Sequence, residues 1–139
     1  MILSSIRIIT ADIQRLVKFY EAATGASFSW FTEDFAELKT TTAALAIGST
    51  RTLALFGGDV AAAASNRSVI IEFRVDDVDA ASTRIPAEVV VQQPTTMPWG
   101  NRSLLFRDPD GNLVNFFTPV TDAAKQRFGV AENDGVKEA

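Results

Sequence analysis

The run Trp99-Gly100-Asn101-Arg102-Ser103-Leu104-Leu105-Phe106-Arg107-Asp108-Pro109-Asp110-Gly111-Asn112-Leu113-Val114-Asn115-Phe116-Phe117-Thr118-Pro119 is written as a β-hairpin. Residues 102 to 107 and 113 to 117 form its strands; between them Pro109 fixes φ and Gly111 accepts a positive φ. Asp108, Asp110 and Asn112 alternate like the start of a calcium loop, but no downstream Glu completes that pattern. They are read as turn chemistry.

Outward from the hairpin, the chain repeats itself. Ile6 to Ile13 lies over Ile71 to Val78, each a strand-like alternation ending in an acidic residue placed to cap a helix. The first helix is expected from about Ile13 to Ala23, with Ile13, Leu16, Val17 and Tyr20 on its buried stripe and Gly25 as its stop. The second starts near Val78, includes Ala81 and ends at Pro86. Three strand-like runs follow each helix: Ser27 to Thr32, a strand within Phe35 to Thr40 with a continuation through Ala43 to Ile47, and Thr52 to Phe56; then Glu88 to Gln92, Arg102 to Phe106 and Leu113 to Phe117. Each half is then βαβββ.

The hairpin and the paired halves together resemble the vicinal oxygen chelate superfamily, which includes glyoxalase I, the bleomycin-resistance proteins and extradiol dioxygenases. The resemblance implies an α+β fold, two βαβββ modules forming a curved mixed sheet around a cleft, and a homodimer. Residues 1–120 make a single domain: module one about 2–57, a connector 58–68 with room for a helical turn, and module two about 69–119. Thr121 to Phe128 reads as a short terminal helix, followed by a polar, frayed tail to residue 139.

Composition narrows the function. The chain has 139 residues, 47% of them apolar, enough for one core. A formal charge of −4 without a basic block argues against nucleic acid. No segment approaches the roughly eighteen apolar residues of a membrane span, and no leader is evident, so a cytoplasmic protein is expected. Zero Cys and zero His exclude disulfides, thiol catalysis and a His-based triad, and no G-x-S-x-G elbow is present.

Strand parity gives two faces. Ile6, Ile8, Leu53, Leu55, Ile71, Phe73, Val75, Val114 and Phe116 form an apolar set that belongs under the helices. The other parity, Ser5, Arg7, Ile9, Thr52, Ala54, Phe56, Ile70, Glu72, Arg74, Leu113, Asn115 and Phe117, is mixed; the resemblance places it in the cleft. The superfamily's four metal-ligand positions then fall on Ser5, Ala54, Ile70 and Asn115. None offers imidazole or carboxylate, so no metal and no other cofactor is expected.

Arg7 aligns with Glu72 in the repeat. The two suit an ion pair across the modules, with Arg74 as a second cation: polar filler for a lost metal, or anchors for a ligand carboxylate (Arg7, Arg74) and a ligand amine (Glu72). Phe56, Phe117 and Asn115 share this face, and Trp30, Phe35 and Trp99 are candidate walls for a planar ligand. The leading reading is metal-independent binding of a small planar or aromatic molecule, for sequestration or sensing. The rival is a lyase, isomerase or dioxygenase with a divergent metal site, or with Glu72 as its base.

Overall fold

Two strand-to-helix corners frame the chain. In the computed structural model, which describes residues 1–130, Asp12 accepts a hydrogen bond from the Arg15 backbone N–H at 3.1 Å, and Asp77 does the same for Ala80 at 3.1 Å. These carboxylates start helix α1, Ile13–Thr24, and helix α2, Val78–Ser82. Each helix follows the first strand of a four-stranded mixed sheet, β1 (Ser5–Thr10) or β5 (Ile70–Arg74). The first sheet runs β1-β4-β3-β2, with β2 at Ser29–Thr32, β3 at Phe35–Lys39 and β4 at Ala44–Ser49. The second runs β5-β8-β7-β6, with β6 at Val90–Thr96, β7 at Asn101–Arg107 and β8 at Leu113–Pro119. In both, the first strand lies parallel to the fourth and the rest are antiparallel. The α+β pattern of paired βαβββ modules therefore holds.

Two compact units result, Met1–Val69 with Asp108–Asn112, and Ile70–Arg107 with Leu113 onward. In the first, Ile13, Leu16, Val17, Tyr20 and Ala23 make the buried stripe of α1, and Gly25 ends it at φ 73°. Burying side chains such as Leu16 and Val17 contributes about 1.5–3 kcal/mol each. In the second, Phe116 meets Phe106 and Phe73 edge-on, with centroids 4.9 and 5.6 Å apart.

Several boundaries differ from expectation. Thr52 to Phe56 is not a strand: Thr50–Phe56 is a 3-10 helix, capped by the Ser49 hydroxyl on Arg51 N at 3.2 Å. The fourth strand of module one is instead Ala44–Ser49, because the Thr40 hydroxyl bonds the Ala43 carbonyl at 2.6 Å and folds the supposed continuation of β3 back on itself. Leu55 is consequently exposed rather than under α1, and Ile6, near the free end of edge strand β1, is half exposed. Glu88 lies in a 3-10 turn over Ala87–Val89, and β6 begins only at Val90. The connector 58–68 contains no helix. A terminal helix α3 spans Asp122–Arg127; the tail beyond residue 130 lies outside the described residues. Among the described residues no helix is long and apolar enough to cross a membrane.

Two exposed ion pairs brace the surface. The Arg51 Nε–Asp34 and Arg102 Nε–Asp79 hydrogen bonds, both 2.8 Å, hold each aspartate below the usual carboxylate range; Ser49 adds to the effect on Asp34. A lowered folded-state pKa gives stability that is present above the unfolded value and lost as pH falls through the folded one. Carboxyl titration by NMR is expected to find both aspartates ionised below ordinary Asp, with Arg51→Gln and Arg102→Gln returning each towards the usual value.

Candidate functional site

Register fixes which side chains share the open face of the first sheet. Arg7 pairs with Ala46 and, through it, with Glu37; Ile9 pairs with Gly48 and Phe35; Ser5 pairs with Ala44 and Lys39. The middle strand thus shows only Ala44, Ala46 and Gly48 on this face, while long side chains stand on either side of them. The Arg7 guanidinium lies 5.0 Å from the Phe35 ring centroid and 5.9 Å from that of Phe56. Phe31 continues the aromatic surface 5.8 Å from Phe35, with Lys39 Nζ 6.0 Å from its ring. Arg7 has no hydrogen bond or ion pair among the described residues, so its planar donors are positioned by aromatic faces alone.

The 3-10 helix makes this arrangement possible. A Cβ at Gly48 would meet Thr52 Oγ1 at 2.8 Å and Arg7 Cδ at 3.7 Å. Glycine therefore lets Thr52 lie against β4, and the helix delivers Phe56 to Arg7 from a segment expected to be a strand. A Gly within a strand pattern was the available signal for such an approach. Trp30 pairs with Ala36 and so stands on the face opposite Phe35; it is half exposed there. Trp30 and Phe35 are not two walls of one surface.

On the second sheet's open face, Glu72, Asn115 and Leu105 form one row, and Arg74, Phe117 and Ser103 the next. Asn115 Nδ2 donates to Glu72 Oε2 at 2.9 Å. Arg74 Nη1 donates to the Phe128 carbonyl at 2.7 Å, and the Phe128 ring tilts onto Phe117 with centroids 5.1 Å apart. The segment after α3 thus engages Arg74 and buries Phe117, a partner the sequence did not announce. Trp99 stands 60% exposed in the Met97–Gly100 turn. Arg7 and Glu72 each find contacts inside their own unit.

The four metal positions need one correction. Ala54 lies in the 3-10 helix, outside the sheet. Since Arg7 pairs with Ala46 as Glu72 pairs with Asn115, the fourth-strand counterpart of Asn115 is Ala46. Ser5, Ala46, Ile70 and Asn115 supply a hydroxyl, a methyl, an alkyl chain and an amide, a donor set that does not fit a catalytic divalent cation. Among the described residues no three His, Cys, Asp or Glu side chains gather as a metal site.

Paired βαβββ units with polar and aromatic side chains on their open faces define a glyoxalase-type scaffold. The chain belongs to the Glyoxalase/Bleomycin resistance protein/Dioxygenase superfamily, whose family model matches residues 2–116. It is similar in fold to a glyoxalase/bleomycin resistance protein/dioxygenase from Nocardioides, with 22% identity, TM-score 0.69, and 88% of this chain and 85% of that one covered. A glyoxalase/bleomycin resistance protein/dioxygenase family enzyme from Burkholderia phytofirmans PsJN aligns at 18% identity and TM-score 0.71, over 86% of this chain and 100% of that one. A protein of unknown function from Agrobacterium tumefaciens str. C58 aligns at 25% identity and TM-score 0.71, over 85% and 94%. No curated protein matches the chain.

Proposed function

We propose that the protein binds a small planar molecule bearing a carboxylate or polarised carbonyl, without a metal, as a cytoplasmic sequestering or sensing homodimer. The Arg7 guanidinium, caged by Phe35 and Phe56 and lacking a carboxylate partner among the described residues, carries this reading. Two rings hold the cation in place, so little side-chain freedom is lost when an anion meets its fork. The neighbouring Phe31 offers a flat apolar surface for the ligand body. The unsuitable donor set at Ser5, Ala46, Ile70 and Asn115 supports the metal-free part. Exposed Ile2, Leu3 and Ile6 at edge strand β1 support self-association, which light scattering after size exclusion tests directly.

Naphthoate is a suitable probe, titrated by calorimetry. Arg7→Ala is expected to weaken its binding about 10- to 100-fold, the equivalent of the roughly 1.5–3 kcal/mol of a charge-assisted hydrogen bond. Arg7 is exposed, so the melting temperature is expected to change little. A large loss of stability with unchanged affinity would make Arg7 structural. A thermal-shift series with Ni, Zn, Fe and Mn is expected to be flat; near-stoichiometric metal in protein purified without chelator would transfer the reading to an enzyme with a divergent metal site, and turnover of a hemithioacetal or catechol without bound metal to one with Glu72 as base.

A further inference from the structure

Asn115 is buried, at 9% exposure, yet its Oδ1 has no hydrogen-bond partner among the described residues. The orientation of the amide is fixed by chemistry: Glu72 Oε2, 2.9 Å away, is acceptor-only when ionised, so the nitrogen must face it. Oδ1 is left as a buried acceptor without a donor, an arrangement native proteins rarely tolerate without a reason. Beside it, the exposed Glu72 carboxylate keeps Oε1 available, because Asn115 bonds Oε2 alone. The nearest cation on β5, Arg74, is drawn away by its 2.7 Å bond to the Phe128 carbonyl. Apolar side chains, Ile70, Leu113 and Leu105, occupy the adjacent positions of the same face.

We infer that Asn115 Oδ1 and the Glu72 carboxylate form a receptor for a cationic N–H donor, an ammonium or amidinium group carried on an apolar body. One N–H satisfies the orphaned amide oxygen while the charge meets the carboxylate, and the flanking Ile70, Leu113 and Leu105 take the body out of water. The subsite lies wholly in the second unit. It goes beyond the carboxylate site at Arg7 and stands without it.

Benzamidine, a planar amidinium, is the probe. In heteronuclear NMR it is expected to shift the Asn115 side-chain amide pair at millimolar concentration. Asn115→Leu removes the acceptor at similar volume and Glu72→Gln removes the charge; each is expected to weaken benzamidine at least about tenfold. Asn115→Leu is also expected to keep or raise the melting temperature, since it deletes an unsatisfied buried atom. Naphthoate affinity is expected to stay unchanged in both variants, so failure here is distinguishable from failure at Arg7. Equal benzamidine binding by the native chain and either variant, or no response of the Asn115 amide, overturns the inference. Should Asn115→Leu fail to fold, the Glu72→Gln affinity decides.

Discussion

Asp108→Ala is expected to destabilise the protein by about 3–5 kcal/mol, the range for a buried charge network that loses its centre. Asp108 is 4% exposed, and its carboxylate collects four donors. Oδ1 accepts the backbone N–H groups of Asp110 and Asn112, both at 2.9 Å; Oδ2 accepts Asn112 Nδ2 and the Tyr20 hydroxyl, both at 2.7 Å. Alanine would strip the phenol of a fully buried tyrosine of this acceptor and release the β7–β8 turn. The resulting fall in melting temperature is expected near 10 °C for a chain of this size. Tyr20→Phe is the milder test, about 1–2 kcal/mol, because three donors remain on the carboxylate. It also carries a pH signature. Burial first, then the Asp108 charge, raises the Tyr20 phenol far above its ordinary range. A raised folded-state pKa gives stability that is full below about pH 10 and lost as pH climbs past the unfolded value. Urea unfolding of native and Tyr20→Phe protein across the alkaline range is expected to show a Tyr20 contribution to that loss only in the former.

What the sequence disclosed was what neighbours in the chain decide. Asp12 and Asp77 cap helices a few residues away, and Gly111, at φ 84°, closes a turn with Asp108. These arrangements satisfy local backbone groups whatever the rest of the chain does, so they were readable. The 3-10 helix was not. Thr52, Leu53, Ala54, Leu55 and Phe56 alternate no differently from a short strand, and a run this short carries no period that separates the two. Ala44–Ser49 won the strand position because its residues are almost all buried, which depends on α1 and the flanking strands. That substitution moved the fourth-strand counterpart of Asn115 from Ala54 to Ala46, while leaving Phe56 beside Arg7. Partnerships between distant residues were beyond reach for the same reason: nothing near Tyr20 names Asp108, and nothing near Phe117 names Phe128. The candidate site was therefore legible as residue types on a face, and illegible as contacts.

Gly100→Ala is expected to lower stability by about 2–4 kcal/mol, with the damage concentrated at α3. Gly100 sits at φ 95°, where a Cβ adds about 1–2 kcal/mol of backbone strain. That Cβ would also collide with the Thr121 hydroxyl and approach the buried Ala124 methyl to 2.9 Å. The Thr121 hydroxyl is the N-cap of α3, accepting the Ala124 N–H at 3.2 Å, and Val120 N is tied to the Gly100 carbonyl at 2.9 Å. Relief of the clash requires the cap to move, which forfeits about 1 kcal/mol of capping and withdraws Ala124 from its packing. Displacing α3 then draws Phe128 away from Phe117 and Arg74. Hydrogen exchange is expected to accelerate at the α3 amides Ala124 and Lys125, while those of Leu16 and Val17 in α1 stay protected. Benzamidine binding is the further readout: with its Phe128 carbonyl gone, Arg74 is released as a cation one row from Glu72, and competition for that carboxylate is expected to weaken the amidinium. Unchanged exchange in α3 would show that the turn at Gly100 absorbs a side chain without moving its cap.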